Sequence, residues 1–208
     1  MDVFFYEAFA EEAAELRRLL PAEMRAGFTG QTIQEAGHAE PPARLISIRT
    51  QSRVPVRWKL AGLVSRTTGY DHLTGLPFPC GYLPLYCSRA VAEQAMMFWM
   101  ALLRKLPAQM EHFATFNRDH LTGSECAGKK LLVVGAGHIG SEVVKIGRGL
   151  DMEVRRVDII PDRSDTGIEA GLPWANIIVC AMNLTAVNAG YFDYRRLKQA
   201  RPGVLFVN

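Results

Sequence analysis

The chain has 208 residues, 49% apolar and 22% charged, which suits a globular protein of one large or two small domains and excludes a disordered one. The net charge is only +3 and the Lys and Arg residues are scattered, so no nucleic-acid partner is expected. Asp2 and Glu7 stand where a secretory signal wants basic residues, and the longest apolar run, Ala95 to Leu103, is nine residues, about half a bilayer span; no membrane partner and a cytoplasmic location are expected.

Val3 to Tyr6 reads as a strand. Glu11 to Leu20 has apolar residues at Ala13, Leu16 and Leu20 with charge opposite, the spacing of a helix that Pro21 stops. Strands are predicted at Arg44 to Arg49 and Gly62 to Arg66, and the Pro and Gly cluster from Leu76 to Pro84 reads as irregular. Strands alternating with helices imply a small parallel sheet with helices on its faces. Cys80, Cys87, Cys126 and Cys180 form no CxxC pair, so neither a metal site nor a disulfide framework is expected.

Ser88 is a candidate cap for a helix from Arg89 to Leu106. Met96, Met97, Phe98, Trp99 and Met100 leave it little polar face, which predicts burial between domains or subunits; a stripe of this kind is packing rather than a cofactor box. Beyond it the pattern becomes strand at Lys129 to Val134, helix from Ile139, strand at Glu153 to Asp158, strand at Asn176 to Ala181, a short helix at Tyr194 to Ala200 and strand at Val204 to Val207. That order is the pattern of a doubly wound dinucleotide-binding domain.

Gly135-Ala136-Gly137-His138-Ile139-Gly140 fits G-x-G-x-x-G, between a buried strand and a helix with Ile139, Val143, Ile146 and Leu150 on one side. Gly135 permits a tight turn, Gly137 lets a pyrophosphate approach the backbone, and Gly140 lets the helix pack on the sheet. The helix start offers free N–H groups and partial positive charge to phosphates. Asp158, eighteen residues after Gly140, is placed to accept hydrogen bonds from adenosine ribose hydroxyls and to repel a 2′-phosphate, which favours NAD over NADP. Arg163 reads as a solvated loop residue rather than a phosphate ligand.

Four segments together resemble the D-isomer-specific 2-hydroxyacid dehydrogenases, from about Leu45 to Asn208. They are Arg66-Thr67-Thr68-Gly69-Tyr70-Asp71-His72-Leu73, Ser88-Arg89-Ala90-Val91-Ala92-Glu93, the stretch Gly128 to Gly140 with Asp158, and Arg201-Pro202-Gly203-Val204-Leu205-Phe206-Val207-Asn208. The resemblance implies an α/β fold: a flavodoxin-like substrate-binding lobe over residues 1–87, then a Rossmann NAD-binding lobe over 88–208, incomplete at its carboxy-terminal end. It implies that backbone N–H groups of the Thr68-Gly69 turn hold the carboxylate of a small 2-keto or 2-hydroxy acid, as a glycine turn aiming amides at an anion can. Tyr86 matches a tyrosine lining the pocket of lactate-type members, with a packed hinge tyrosine as the other reading. The amides of His138 and Ile139 match pyrophosphate contacts, Met182 and Asn183 border the adenosine, and Asn188 lies near the phosphates. Asn183 stands where the family usually has proline.

The resemblance further implies a homodimer paired through the nucleotide lobe. The family's catalytic Arg, Glu and His all fall after Asn208, so the chain is expected to be a fragment of a longer enzyme and inactive by itself. Of the five histidines only His72 is near the substrate turn, and nothing in the sequence pairs it with an acid. Two other readings compete: a non-enzymatic NAD-binding, corepressor-like regulator of the same fold, and an NAD enzyme with a similar lobe such as an adenosylhomocysteinase. The 66–73 turn and the 88–93 helix start count against the latter.

Overall fold

Two wholly parallel sheets organise the chain, which a computed structural model describes from Met1 to Asn208. They belong to two units, Met1–Tyr86 and Cys87–Asn208. In the first, the elements are β1 (Val3–Phe5), α1 (Ala10–Leu19), β2 (Ala26–Phe28), α2 (Ile33–Ala36), β3 (Leu45–Ile48), β4 (Gly62–Ser65) and β5 (Cys80–Tyr82), with strand order β2-β1-β3-β4-β5. This is the flavodoxin-like order. Side chains alternate across the strands. Phe4, Ile46 and Leu63 are in register and share one face, where Ile46 and Leu63 join Tyr6, Ile48, Trp58 and Leu73 in a buried cluster. Val3 and Phe5 take the opposite face and pack on Ala13 of α1.

That second face is covered only in part. Leu45 and Val64 are 44% and 46% exposed. The expectation of helices on both faces therefore holds for one face and for the α1 end of the other. The stretch from Leu76 to Pro84, expected to be irregular, contains β5, which pairs Leu63 with Cys80, Val64 with Gly81 and Ser65 with Tyr82. An edge strand of three residues bonds its neighbour on one side only, so Pro79 and Pro84 flank it without breaking the ladder.

The second unit contains α3 (Ser88–Leu103), α4 (Leu106–His112), β6 (Lys130–Val134), α5 (His138–Gly149), β7 (Glu153–Val157), α6 (Ile168–Trp174), β8 (Ile177–Cys180), α7 (Tyr194–Leu197) and β9 (Leu205–Val207), with strand order β7-β6-β8-β9. Both faces of β6 are covered, which is why Leu131 to Val134 is an unbroken apolar run. Leu131 and Val133 meet Trp99 of α3 and Val143 of α5; Leu132 and Val134 meet Ile168 and Leu172 of α6. No helix is long and apolar enough to cross a membrane.

Helix α3 departs from its expected form. Cys87 occupies the cap position, and Ser88 is the first helical residue, its hydroxyl buried without a partner. The helix ends at Leu103, because Lys105 turns to the left-handed region at φ 54° before α4 begins. Ala92, Ala95, Trp99 and Leu103, at spacings of three and four, pack into the core. Val91, Phe98 and Leu102 lie roughly a quarter turn round the helix from that face and are 40%, 43% and 42% exposed. The helix is thus buried on one face and not all round.

Candidate functional site

Both neighbours of β6 follow it in the chain, β7 on one side and β8 on the other, so the strand order reverses at β6. Ligands of open α/β sheets bind outside the carboxyl ends of the strands at such a switch point. Three carboxyl ends meet here, those leading into Gly135, Asp158 and Ala181. Gly135 has φ +91°, and a β carbon on it would lie 2.7 Å from the Met182 nitrogen and 2.8 Å from the Ala181 carbonyl carbon. A β carbon on Gly140 would overlap the Gly135 carbonyl oxygen. Both glycines are therefore demanded by the chain's own backbone. Gly137 is different, since a β carbon there would meet nothing within 4 Å. It caps α5 with no side-chain hydrogen bond, so the first amides of a twelve-residue helix open onto that empty side. Open space over uncapped N–H groups is what a pyrophosphate needs, and the loop fits a dinucleotide.

Asp158 lies at the end of β7 and braces this loop. Its Oδ2 accepts the Ala136 N–H at 2.6 Å and its Oδ1 accepts the Ile160 N–H at 3.0 Å. Each carboxylate oxygen keeps a second lone pair for a ribose hydroxyl. His138 is the first, exposed residue of α5, whereas Ile139 packs partly into the core behind it. Met182 packs against the α6 side of the sheet, and Asn183 is exposed. Asn188 spends its side chain inside its own loop: its Oδ1 accepts the Thr185 N–H at 2.7 Å and its Nδ2 donates to the Asn183 carbonyl at 2.7 Å. Asn183 and Asn188 are thus joined to each other. A further glycine, Gly147, brings α5 onto the sheet, where a β carbon would lie 2.5 Å from Leu131 Cδ2.

In the first unit the Thr68-Gly69 turn follows β4. Thr67 Oγ1 donates to the Gly69 carbonyl at 2.7 Å. Ser65 Oγ lies 2.6 Å from Thr67 Oγ1 and 2.8 Å from His72 Nε2. Tyr86 donates its hydroxyl to the Arg66 carbonyl at 3.1 Å, tying that side chain to the start of the turn. Beneath it, the Arg66 guanidinium is buried and donates to Glu12 Oε1 at 2.9 Å, to Ser47 Oγ at 2.8 Å and to the Tyr6 carbonyl at 2.7 Å. Burial would raise the Glu12 carboxyl, but hydrogen bonds and charge from Arg66 and Arg49 outweigh it and hold it below its ordinary range. Glu7, at φ 53°, accepts the N–H groups of Arg49, Gln51 and Ser52. Sequence reasoning missed Ser65, Glu7 and Glu12, and it took Thr67 only as part of the 66–73 segment. The Ser-x-Thr spacing at the end of a predicted strand is the one signal that could have found the bonded turn.

Comparisons with known proteins agree with this geometry. Residues 96–208, more than half of the chain, match the family model for the NAD binding domain of D-isomer specific 2-hydroxyacid dehydrogenase. The D-lactate dehydrogenase of Escherichia coli is 30% identical over 135 residues, which are 61% of this chain and 41% of that protein. A D-3-phosphoglycerate dehydrogenase of Haemophilus influenzae is 37% identical over 78 residues, 36% of this chain and 19% of that one. The chain thus spans less than half the length of these relatives. In fold it superposes on the apo-structure of the Escherichia coli D-lactate dehydrogenase with a TM-score of 0.82 at 20% identity, covering 100% of this chain and 73% of that one. It superposes equally on the Aquifex aeolicus D-lactate dehydrogenase complexed with NAD and lactic acid, at TM-score 0.82 and 19% identity over 99% of this chain and 68% of that one. The chain belongs to the D-isomer-specific 2-hydroxyacid dehydrogenase family and carries that family's NAD-binding domain in its second unit.

Proposed function

We propose that the chain serves an NAD-dependent dehydrogenase that interconverts a D-2-hydroxy acid and its 2-keto acid. The observation that carries this is the glycine loop over β6, open above Gly137 and braced by Asp158. NAD, when bound, accepts a hydride from the hydroxy acid or, as NADH, delivers one to the keto carbon. The amides of Gly137, His138 and Ile139 hold the pyrophosphate, Asp158 takes the adenosine ribose hydroxyls, Met182 and Asn183 border the adenosine, and Asn188 shapes the loop near the phosphates. In the first unit the Thr68 and Gly69 amides hold the substrate carboxylate and Tyr86 lines the pocket.

The 208 residues are proposed to bind both ligands without turnover. Reduction needs a cation to polarise the carbonyl and a poised acid to protonate the oxygen. The two histidines with side-chain partners bond to hydroxyls, His38 to Tyr6 and His72 to Ser65, and neither bonds to a carboxylate. NADH binding followed by fluorescence, with pyruvate, glyoxylate and hydroxypyruvate turnover assayed on the same chain, tests the reading. Absence of NADH binding overturns the cofactor assignment, and turnover overturns the division of roles.

Pairing of two copies belongs to the same proposal. Val91, Phe98 and Leu102 form one exposed apolar face of α3, and Met110 of α4 is 70% exposed. Removing such a surface from water favours association. Sedimentation that shows only monomer at micromolar concentration overturns it.

A further inference from the structure

We propose that His72 is a positioning residue for the substrate, acting through Ser65 and Thr67 to fix the Gly69 carbonyl and so pre-orient the Thr68-Gly69 turn. The inference rests on the reading that this turn holds the substrate carboxylate.

The direction of the hydrogen bonds follows from counting protons. Each hydroxyl has one to give. Thr67 gives its proton to the Gly69 carbonyl, which can only accept, so Thr67 Oγ1 must accept from Ser65. Ser65 has then spent its own proton, and its Oγ accepts from His72 Nε2. The relay therefore demands a proton on Nε2. Nδ1 is buried with no partner, so a proton there would be an unmatched buried N–H. The opposite tautomer would bury an unmatched N–H and leave two hydroxyl-relay acceptors facing each other, so the orphaned nitrogen and the relay point to one arrangement.

The relay stands in a place where it matters. A glycine in a turn has more backbone freedom to lose than any other residue, and ordering one residue costs about 1–2 kcal/mol. Space does not require glycine at position 69, where a β carbon would make only an ordinary contact of 3.5 Å with Asp71 Oδ1. Gly69 keeps its amide approachable, and the relay removes the freedom that comes with it. Ser65 is fully buried at the end of β4, and His72 is held next to buried Leu73 in the 3-10 turn Asp71–Leu73. The relay thus clamps the loop from both its ends, entry and exit. Preorganised amides bind an anion without a reorganisation cost at the moment of binding.

The test uses the 208-residue chain with oxamate as probe, followed through backbone amide resonances. In the unaltered chain oxamate should shift Thr68 and Gly69, and long-range imidazole correlations should show His72 protonated at Nε2. His72→Phe, which keeps a ring but no donor, should weaken oxamate about tenfold and leave NADH binding unchanged. His72→Gln returns an N–H near the Nε2 position and should recover affinity to within about threefold. Should His72→Phe fail to fold, Thr67→Val tests the same link by removing only the hydroxyl that holds Gly69, and it should weaken oxamate equally. Equal oxamate affinity in the folded variants, or an Nδ1–H tautomer, overturns the positioning role and leaves the carboxylate reading intact. No shift at Thr68 and Gly69 in the unaltered chain overturns both.

Discussion

The turn after β4 and the turn after β6 occupy corresponding places, each at the carboxyl end of an interior strand of a parallel sheet, yet they are held by different means. Around β6 the backbone itself demands glycine: Gly135 sits against Ala181 and Met182, and Gly140 against the Gly135 carbonyl. After β4 no such overlap exists, and side chains hold the turn instead, through Ser65, Thr67 and His72. Steric necessity fixes the first loop whatever surrounds it. Hydrogen bonds fix the second, and such bonds contribute only about 1 kcal/mol each. The glycine loop after β6 should therefore fail abruptly when altered and the turn after β4 by degrees.

The largest expected effect separates two glycines of one motif. Gly140→Ala forces a carbon into the Gly135 carbonyl and should cost the second unit about 3 kcal/mol, read from urea unfolding. Gly137→Val meets open space and should leave unfolding within about 1 kcal/mol of the unaltered chain while abolishing NADH binding. Equal stability of the two variants would show that the loop yields more easily than its contacts suggest. Retained NADH affinity in a folded Gly137→Val protein would place the phosphates elsewhere.

The same contrast explains what the sequence discloses. Overlap rules leave glycines at fixed spacing, so the loop from Gly135 to Gly140 and its flanking β6 and α5 are legible from residue types alone. The relay is not, because Ser, Thr and His are common and their partnership exists only once the chain has folded back at Asp71–Leu73. Helix α6 was missed because Gly171 and Pro173 hide its period; Gly171 is there so that Leu132 can pack, with a β carbon lying 2.8 Å from Leu132 Cδ2. Helix α2 was missed although Thr32 and Glu35 carry the capping-box spacing and both reciprocal bonds form. Its four residues show too little periodicity, and the cap was the only signal. Helix α3 misled in the other direction, since apolar composition cannot say how many of its faces the same chain covers.

Asp158 stands between the two kinds of support, a side chain that braces the steric loop. Because its Oδ2 accepts the Ala136 N–H, Asp158→Ala should do two things. It should narrow the preference for NADH over NADPH, since the charge that repels a 2′-phosphate is gone. It should also weaken both cofactors by about tenfold, since a charged acceptor contributes about 1.5 kcal/mol or more to the loop. Titration of both cofactors separates the outcomes. A rise in NADPH affinity with no loss for NADH would show that the glycines hold the loop without Asp158.

The smallest effect concerns Asp71, and it probes the turn that depends on side chains. An exposed carboxylate lies beside that turn, with Oδ1 only 3.5 Å from where a Gly69 β carbon would stand. A substrate carboxylate on the same amides would feel its repulsion. At a separation of roughly 6 Å in water, two unit charges repel by about 0.7 kcal/mol, equivalent to about threefold in affinity. Asp71→Asn should therefore tighten oxamate by two- to threefold at low salt, and the gain should shrink at physiological ionic strength, where the screening length is about 8 Å. Asp71→Glu, which keeps the charge on a longer stem, should gain less. The relay through Ser65 is untouched by either change, so the Nε2–H signature of His72 should persist in both. A gain that survives high salt would trace instead to altered turn geometry, because screening removes a Coulombic effect and leaves a steric one. No gain at low salt would mean that the anion sits on the side of the turn away from Asp71, and the Gly69 amide would then be approached from the opposite face.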